Sequence, residues 1–305
     1  MKNLPLAPIL LFTYKRIDTL KKTVQALKNN SLSADSILYI FSDAAKSKKD
    51  ELIINQVRIF LKTITGFKSV VIIESSVNKG LANSIIDGVT NVLMEYSTVI
   101  VLEDDLITTP NFLSFMNAAL VEYKNQDKVF SISGYSFNLG KDVNDNNDSY
   151  FLSRGWSWGW ATWKNRWNKV DWNVKDYNDF LNDKLKQKSF AKGGSDLKSM
   201  LHKQMKGNLD SWAIRWFYNQ FNLDGLTLYP TFSKVYNDGF DGEATHTTGS
   251  NKRYQPKLDV TNLHNFNFPK NVELSDFYQP KFQKKMGIQS RILSKIDNLI
   301  KKIFC

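Results

Sequence analysis

Cysteine is almost absent from this sequence, which contains one residue of this type, Cys305, at its last position. One cysteine cannot form an internal disulfide, so the small disulfide-stabilised secreted domains are excluded. Long hydrophobic runs are missing as well, because no apolar stretch approaches the ~18 residues that a membrane-spanning helix requires. Met1–Pro5 leads directly into an apolar segment without a signal-peptide cleavage site. We therefore expect a cytoplasmic protein.

Glycine-rich phosphate loops are also lacking. No GxGxxG motif follows the first apolar segment and no GxxxxGK[ST] motif occurs anywhere, which argues against an ordinary dinucleotide or P-loop site. The hydrophobic fraction of 42% and the charged fraction of 23% are typical of a globular protein. A chain of 305 residues can form one large domain or two closely packed halves.

Positive charge is in excess and unevenly distributed. The formal net charge is +11, and residues 251–305 alone contribute +7, from eleven Lys and Arg against four Asp and Glu. The excess therefore lies mainly in the last part of the chain. A basic segment of this kind suits either a nucleic acid or an anionic lipid.

Apolar strands alternate with amphipathic helices four times at the start of the chain. The predicted strands are Pro8–Thr13, Ile37–Phe41, Val70–Ile73 and Thr98–Leu102. This alternation predicts an α/β fold with a mostly parallel sheet flanked by helices. A further helix is predicted from Asn111 to Tyr123, followed by a strand at Val129–Ser133 and a surface loop from Asn138 to Ser149.

Three carboxylates, Glu103, Asp104 and Asp105, follow the fourth predicted strand directly. Open α/β sheets bind their ligands at the carboxyl ends of the strands. Three adjacent carboxylates repel one another unless a cation is present, and an oxygen-only ligand set favours Mg²⁺ or Mn²⁺. The alternative is an acidic loop that ends the strand in solvent.

Three further segments allow both structural and functional interpretations. Asn78–Leu81 fits a turn that starts a helix, and equally a backbone site for an anion. Asp210 precedes an apolar helical pattern, where the sequence alone favours a role as N-cap. All eight tryptophans lie between Trp156 and Trp216. Most are expected in the core, whereas one or two within Trp156–Trp160 are expected to contact a sugar.

The order of these motifs resembles that of GT-A-fold glycosyltransferases. More narrowly, it is similar to bacterial sugar transferases related to the family-2 enzymes and to the N-acetylglucosaminyltransferase I group. The resemblance extends from about Pro8 to His246 and is carried by the ordered set Phe12–Arg16, Ser42–Asp43, Asn78–Leu81, Glu103–Asp105, Trp158–Trp163, Leu209–Ser211 and Asp241–His246. One departure is Lys15-Arg16-Ile17, where the family usually has Asn-Arg-Pro.

The resemblance implies a role for each matching residue. Asp210 would be the catalytic base, and Asp105 and His246 would contact Mn²⁺ or Mg²⁺, with His246 reaching either the metal or the diphosphate. Asp43 would accept a hydrogen bond from uracil and Asp104 would contact the ribose. The complete set expected at the nucleotide sugar is Thr13, Arg16, Asp43, Asn78, Leu81, Glu103, Asp104, Gly159 and Trp160.

The function implied is metal-dependent, inverting transfer of a sugar from a UDP-sugar, such as UDP-GlcNAc or a related hexose, to a hydroxyl of a glycan or lipid-linked acceptor. Such an enzyme would act in bacterial cell-surface polysaccharide assembly. A nucleotidyltransferase and a non-catalytic sugar-nucleotide or glycan-binding protein are the alternatives. The expected catalytic domain is 5–250, with a nucleotide-binding half at 5–110 and an acceptor-side half at 111–250, followed by a basic extension at 251–305.

The extension ends in an amphipathic helical pattern. Its apolar residues recur as Ile288, Ile292, Leu293, Ile296, Leu299, Ile300, Ile303 and Phe304. A basic amphipathic helix is typical of a segment that lies on a membrane surface, here the inner face. The alternative is a helix packed on the body of the protein or on a second subunit of a homo-oligomer. No nucleic-acid partner is expected, because aromatic and basic residues are not interleaved.

Overall fold

A computed structural model of the chain describes residues 5–239, 251–294 and 296, apart from the side chains of residues 251 and 252. Its strands are β1 Ile9–Thr13, β2 Ile37–Ser42, β3 Ser69–Glu74, β4 Thr98–Glu103, β5 Leu106–Thr108, β6 Val129–Ser133, β7 Ser149–Leu152, β8 Trp160–Trp163, β9 Leu226–Pro230 and β10 Val235–Asn237. Its α-helices are α1 Ile17–Lys28, α2 Lys48–Leu61, α3 Gly80–Glu95, α4 Phe112–Glu122, α5 Lys164–Trp167, α6 Tyr177–Asn182, α7 Lys184–Phe190, α8 Leu197–Met205, α9 Trp212–Asn222 and α10 Tyr278–Met286.

Eight of these strands form one mixed sheet in the order β3-β2-β1-β4-β8-β6-β9-β7. Strands β1 to β4 are parallel to one another, and β6 and β9 run in the same direction as they do. Only β8 and β7 are reversed within this sheet. Strands β5 and β10 form a separate antiparallel pair. The predicted α/β class with a mostly parallel sheet flanked by helices is confirmed, and the topology is consistent with a GT-A fold.

Most of the sheet is covered on both faces, whereas the edge strand β3 is largely exposed. Alternate residues of β1 show the two layers, because Ile9 and Leu11 pack with α1, α2 and α4 while Leu10 and Phe12 pack with α3 and α9. Strand residues point to opposite faces in turn, so a strand covered on both sides has to be apolar throughout. All five residues of β1 are buried. The continuous apolar runs predicted as strands therefore correspond to the first four strands of the sheet.

Tryptophans supply much of the second layer. Seven of the eight are buried, and Trp172 is half-buried. Trp160 of β8 stacks on Trp212 of α9 with ring centroids 4.7 Å apart, and on Trp167 at 5.8 Å. Trp156 and Trp158 lie in the other layer, each with 9% of its surface exposed. Contact of a ring within Trp156–Trp160 with a sugar stays a prediction.

Residues after 251 pack on the first layer. Phe266 and Phe268 contact Phe115 of α4, with centroid distances of 5.2 and 5.7 Å. Tyr278 of α10 stacks on Tyr150 of β7 at 3.7 Å. This part of the predicted extension therefore contributes aromatic side chains to the core.

A buried ion pair joins the same segment to Lys234, the residue before β10. Lys234 and Asp259 are paired, and each side chain is 5% exposed. Asp259 also accepts hydrogen bonds from Asn111 Nδ2 at 2.9 Å and from the backbone and hydroxyl of Thr261 at 2.8 and 2.6 Å. Burial acts to raise the pKa of Asp259, but these hydrogen bonds and the one from Lys234 outweigh it and lower the pKa to about 2. The carboxylate is therefore ionised and fully engaged.

Residues 288–294 are helical and follow α10 after Gly287. Ile288, Ile292, Leu293 and Ile296 are exposed by 67, 51, 64 and 45%. The apolar stripe predicted there is thus largely uncovered in the described part of the chain. Within that part, no helix has both the length and the apolar character needed to cross a bilayer.

Candidate active site

Polar residues from three strands meet at one edge of the sheet. Thr13 at the end of β1 pairs with Ser42 of β2, and Phe12 pairs with Glu103 at the end of β4. The backbone N–H of Asp43 donates to the carbonyl of Thr13 at 3.3 Å. Because the first four strands are parallel, their carboxyl ends bring the turns after β1, β2 and β4 together, as the sequence predicts.

Arg16 joins two of the three clustered carboxylates. Its Nη2 atom donates to Asp104 Oδ1 at 2.9 Å and to Asp105 Oδ2 at 2.7 Å. The hydroxyl of Thr13 and the backbone N–H of Tyr14 donate to the other oxygen of Asp104, at 3.0 and 3.1 Å. The first turn of the chain thus fixes the Asp104 carboxylate by three donors.

The charged side chains of this cluster interact strongly with one another because they are largely buried. Burial disfavours the charge of Arg16, but Asp104 and Asp105 outweigh it and raise the pKa of the guanidinium. Burial, and then the charge of Asp104, raises the pKa of Asp105 in spite of Arg16. Burial, together with Asp105 and Asp104, raises the pKa of Glu103 to about 8. One arginine therefore does not fully compensate the negative charge at the end of β4.

Two carboxylates of the cluster face one position of positive charge. Oxygens of Asp104 and Asp105 converge on a single cationic atom of Arg16, so the carboxylates already define a position for positive charge. Within residues 5–239, 251–294 and 296, no group of three or more His, Cys, Asp or Glu is arranged to hold a metal. Glu103 accepts no side-chain hydrogen bond in these ranges. The donor chemistry therefore fits a hard cation, with two carboxylates rather than the predicted three.

The turn before α3 lies over the Asp43 carboxylate. The backbone N–H groups of Lys79 and Gly80 donate to Asp43 at 2.9 Å each, and Asn78 Nδ2 donates to the carbonyl of Ala44 at 2.7 Å. Asp43 thus caps a helix that is remote in sequence, where a carboxylate is favoured by the unpaired N–H groups. Asn78–Leu81 starts a helix, as one of its two interpretations predicts. Contact of Asp43 with uracil stays a prediction.

Asp210 is not the N-cap of the following helix, so that interpretation is wrong. Ser211 occupies the cap position of α9 and accepts a hydrogen bond from the N–H of Ile214 at 3.4 Å. Gln204 Oε1 in turn accepts the N–H of Ser211 at 2.7 Å. Asp210 is exposed, and no described residue donates a hydrogen bond to its side chain. Its carboxylate is therefore available to a ligand.

Asp210 lies directly beside the start of α3. A Cβ atom built on Gly80, whose φ is +74°, would be 3.4 Å from Asp210 Oδ2. The carboxylate of Asp210 therefore lies close to the same helix terminus that Asp43 caps. The stacked pair of Trp160 and Trp212 holds the beginning of α9 in this position.

Gly159 and Trp160 border the site through strand pairing. Trp160 pairs with Val101 of β4, so Gly159 lies level with the carboxyl end of that strand. Gly159 has a φ of +61°, and a Cβ atom there would come within 2.9 Å of Val235 Cγ2. Leu81 packs at the border of the second layer. Their contact with a nucleotide sugar stays a prediction.

Residues after β10 return to the cluster. Asp238 N–H donates to the carbonyl of Asp105 at 2.8 Å, and Lys22 pairs with Asp238 at 2.7 Å. A Cβ atom on Gly239 would overlap the Asp105 carboxylate, so a larger residue there would displace the side chain of Asp105. His246, the second predicted metal ligand, lies outside the described residues.

Two supporting residues are not found by the sequence analysis. Tyr14 donates its N–H to Asp104, and its hydroxyl bonds Asp50 Oδ2 at 3.1 Å and the N–H of Lys46 at 2.8 Å. Gln204 fixes the turn that carries Asp210. Tyr14 lies inside the motif Phe12–Arg16, so the sequence does contain a signal that points to it. Gln204 lies in an ordinary helical pattern, and nothing in the sequence indicates its contact with the turn that carries Asp210.

Comparison by sequence finds no matching family model and no matching curated protein. The fold aligns with the mannosyltransferase PcManGT from Pyrobaculum calidifontis, solved with GDP-Man and Mn²⁺, at 11% identity and a TM-score of 0.32, covering 45% of this chain and 37% of that one. It also aligns with residues 1–349 of TarS from S. aureus, at 8% identity and a TM-score of 0.41. This alignment covers 76% of this chain and 60% of that one.

A UDP-glucose pyrophosphorylase solved with UDP-glucose aligns at 12% identity and a TM-score of 0.39, covering 77% of this chain and 94% of that one. The chain thus spans less than two thirds of the mannosyltransferase and of the TarS fragment. These similarities concern the arrangement of strands and helices only. At such TM-scores they do not bear on the activity of this chain.

Proposed function

We propose that this protein is an inverting glycosyltransferase that uses a nucleotide sugar, with UDP-GlcNAc or a related UDP-hexose as the expected donor. The observation that carries the proposal is the separation of two acidic groups at one sheet edge. Asp104 and Asp105 are engaged by Arg16, whereas Asp210 lies beside the start of α3, interacts with the charge of Arg215 and accepts no hydrogen bond from a described residue. A buried charged cluster and a separate carboxylate are what direct displacement at a sugar requires.

In the proposed reaction, an acceptor hydroxyl attacks C1 of the sugar while the bond from C1 to the diphosphate oxygen breaks. Asp210 takes the proton of the hydroxyl as the new C–O bond forms, and the configuration at C1 inverts. The nucleoside diphosphate leaves with the electron pair of the broken bond. A carboxylate without a hydrogen-bond donor from the described residues can accept that proton without first losing a protein partner.

The first turn and the end of β4 would hold the donor. Asp105 would bind Mn²⁺ or Mg²⁺, with His246 as a further expected contact, and the ion would neutralise charge on the leaving diphosphate. Asp104, held by Thr13, Tyr14 and Arg16, would orient the ribose. The N-terminus of α3 beside Asp210 would favour negative charge nearby.

The proposed acceptor offers a hydroxyl group for attack on the donor sugar. A glycan or lipid-linked sugar in bacterial cell-surface polysaccharide assembly is the expected class, reached from the inner membrane face through the apolar residues of 288–296. Those residues are exposed, as a peripheral attachment needs.

Binding and hydrolysis test the proposal together. A thermal-shift screen of UDP-sugars, GDP-sugars and UDP with Mn²⁺ should raise the unfolding midpoint for UDP compounds, because ligands of the native state stabilise it. Slow release of UDP from the same UDP-sugar in the absence of acceptor is expected for a transferase. Binding without hydrolysis or transfer indicates a binding protein, and release of pyrophosphate from UTP and a sugar phosphate indicates a nucleotidyltransferase.

Replacing Asp105 by Ala is expected to abolish the effect of metal on donor binding. The change removes the carboxylate that Arg16 and the proposed ion share, while Asp104 keeps its own three donors. Calorimetric titration of UDP with and without EDTA measures the difference. Asp50→Ala, which alters the outer side of the same turn, is the matched control and should keep the metal dependence. An Asp105→Ala variant whose UDP affinity still falls on adding EDTA would contradict the assignment.

A further inference from the structure

A lysine-rich surface lies between α7, the start of α8 and the end of α10. Two neighbouring depressions there have volumes of about 400 and 490 Å³ and share Lys188 and Ala191. The lysines that line them are Lys184, Lys188, Lys192, Lys198 and Lys284. No Asp or Glu lines either depression, and none of the five makes an ion pair with a described residue.

Two acidic residues that adjoin the lysines of this surface in sequence are already engaged. Asp183 caps α7 and accepts the N–H of Lys186 at 2.8 Å. Asp196 pairs with the buried Arg154 at 2.9 Å. The five lysines therefore lack an internal counter-charge, and their positive potential is available to an outside anion.

Exposed apolar side chains accompany the lysines. Leu181 lines one depression and is 42% exposed, while Leu185 lies between Lys184 and Lys188 on α7 and is 81% exposed. Ile288 lines the other depression and is 67% exposed, and Ile292 and Leu293 continue from it along the next helical turn. We call this combined surface, formed by the five lysines and these five apolar residues, the basic apolar face.

Backbone contacts join its two halves. The N–H and the hydroxyl of Ser195, just before α8, both donate to the carbonyl of Met286 at the end of α10, at 3.2 and 3.0 Å. Arg291 in the following helical segment lies 3.9 Å from Asp196. The lysines of α7 and α8 and the apolar residues after Gly287 are thus held on one rigid part of the protein.

We infer that the basic apolar face is a docking surface for a bilayer that contains anionic lipids. Lysines beside a membrane gain electrostatic attraction from anionic headgroups, and neighbouring leucine and isoleucine side chains gain from entering the interface. A nucleic acid would use the lysines but would leave five aliphatic side chains in water, and no aromatic ring lines the depressions for base stacking. The inference is independent of the proposed sugar transfer and extends the surface beyond residues 288–305.

Vesicle flotation of the full chain tests this docking surface. The protein should float with vesicles of phosphatidylcholine and phosphatidylglycerol, should remain below vesicles of phosphatidylcholine alone, and should be released by salt. The triple variant Lys184→Glu, Lys192→Glu, Lys198→Glu should bind at least about 100-fold more weakly, because each lysine near an anionic surface contributes on the order of a five-fold factor and three such factors multiply. Lys184 and Lys198 lie in first helical turns, where glutamate is well tolerated.

The matched control is Lys48→Glu, Lys49→Glu, Lys68→Glu, which makes the same charge change on exposed lysines around α2. It should bind vesicles like the unmodified protein. Leu185→Ser with Ile292→Ser keeps the charge and should reduce binding on the order of ten-fold through lost apolar burial. Equal binding by the lysine triple variant and its control, or binding to heparin or RNA without binding to anionic vesicles, would overturn the inference. An unchanged circular dichroism spectrum and thermal unfolding midpoint of each variant show that the fold is kept.

Discussion

Replacing Asp210 by Asn is expected to lower the turnover of sugar transfer by about 10²–10⁴-fold, the usual scale for the loss of a general base. Asparagine has nearly the shape of aspartate but cannot accept the proton of the acceptor hydroxyl. Ser211, not Asp210, caps α9, so the change should leave the helix and its stability intact. Turnover is measured with acceptor where one is known, and otherwise as hydrolysis of the UDP-sugar.

The binding of UDP separates a chemical role from a structural one. Asp210→Asn should bind UDP and Mn²⁺ with the affinity of the unmodified protein, because the proposed donor contacts lie at Arg16, Asp104 and Asp105. Asp224→Asn is the matched control, since it makes the same change at an exposed position just after the other end of α9. Asp224 has a φ of +49°, which asparagine tolerates. Near-normal turnover of Asp210→Asn would exclude the proposed base.

Replacing Asp259 by Ala is expected to lower the free energy of unfolding by about 3–5 kcal/mol, because it leaves a buried lysine without its partner. Lys234 is 5% exposed and lies over the rings of Phe115 and Phe266, at 5.4 and 5.0 Å from their centroids. Asp148 also attracts this ammonium group, but Asp259 is the carboxylate with which it forms an ion pair. Chemical denaturation measures the loss.

A double variant distinguishes the stability contributed by the ion pair from that contributed by the surrounding packing. Lys234→Met with Asp259→Leu removes both charges and should recover much of the stability lost in the single variant. Glu273→Ala, an exposed acidic residue of the same segment, should change the free energy of unfolding by no more than about 0.5 kcal/mol. A single variant as stable as this control would show that the ion pair does not hold the segment.

The same pair has a pH signature with a defined sign. The pKa of Asp259 is about 2 in the folded protein, below the value of about 4 expected in the unfolded chain. Its contribution to stability is therefore complete above about pH 4 and is lost as the pH falls through about 2. The stability difference between the unmodified protein and Asp259→Ala should shrink over that interval.

The first four strands and helices follow from the sequence because their pattern is local. Each buried strand is a short apolar run, and each helix repeats its apolar residues at helical spacing. Parallel pairing then brings Thr13, Asp43 and Glu103 to one edge without further information. The fold class, the parallel pairing of these strands and the meeting of their polar turns were predictable for this reason.

What could not be predicted depends on contacts between distant segments. The competition between Asp210 and Ser211 for the cap of α9 is undecided in sequence, because both residue types are good caps. That Arg16 reaches both Asp104 and Asp105, 88 and 89 residues away, is a tertiary fact. The packing of Phe266 and Phe268 on Phe115 is also a tertiary contact. The sequence alone indicates only a basic extension for this segment.

Arg16 also has a practical consequence for handling the protein. Domains whose structure depends on a bound ion unfold in chelators, because the ion supplies much of their folding free energy. Here a built-in cation already pairs with Asp104 and Asp105, and its pKa is raised by them. We therefore expect purification and crystallisation in EDTA to leave the fold intact. Divalent ions can then be introduced one at a time, against a single well-defined starting state.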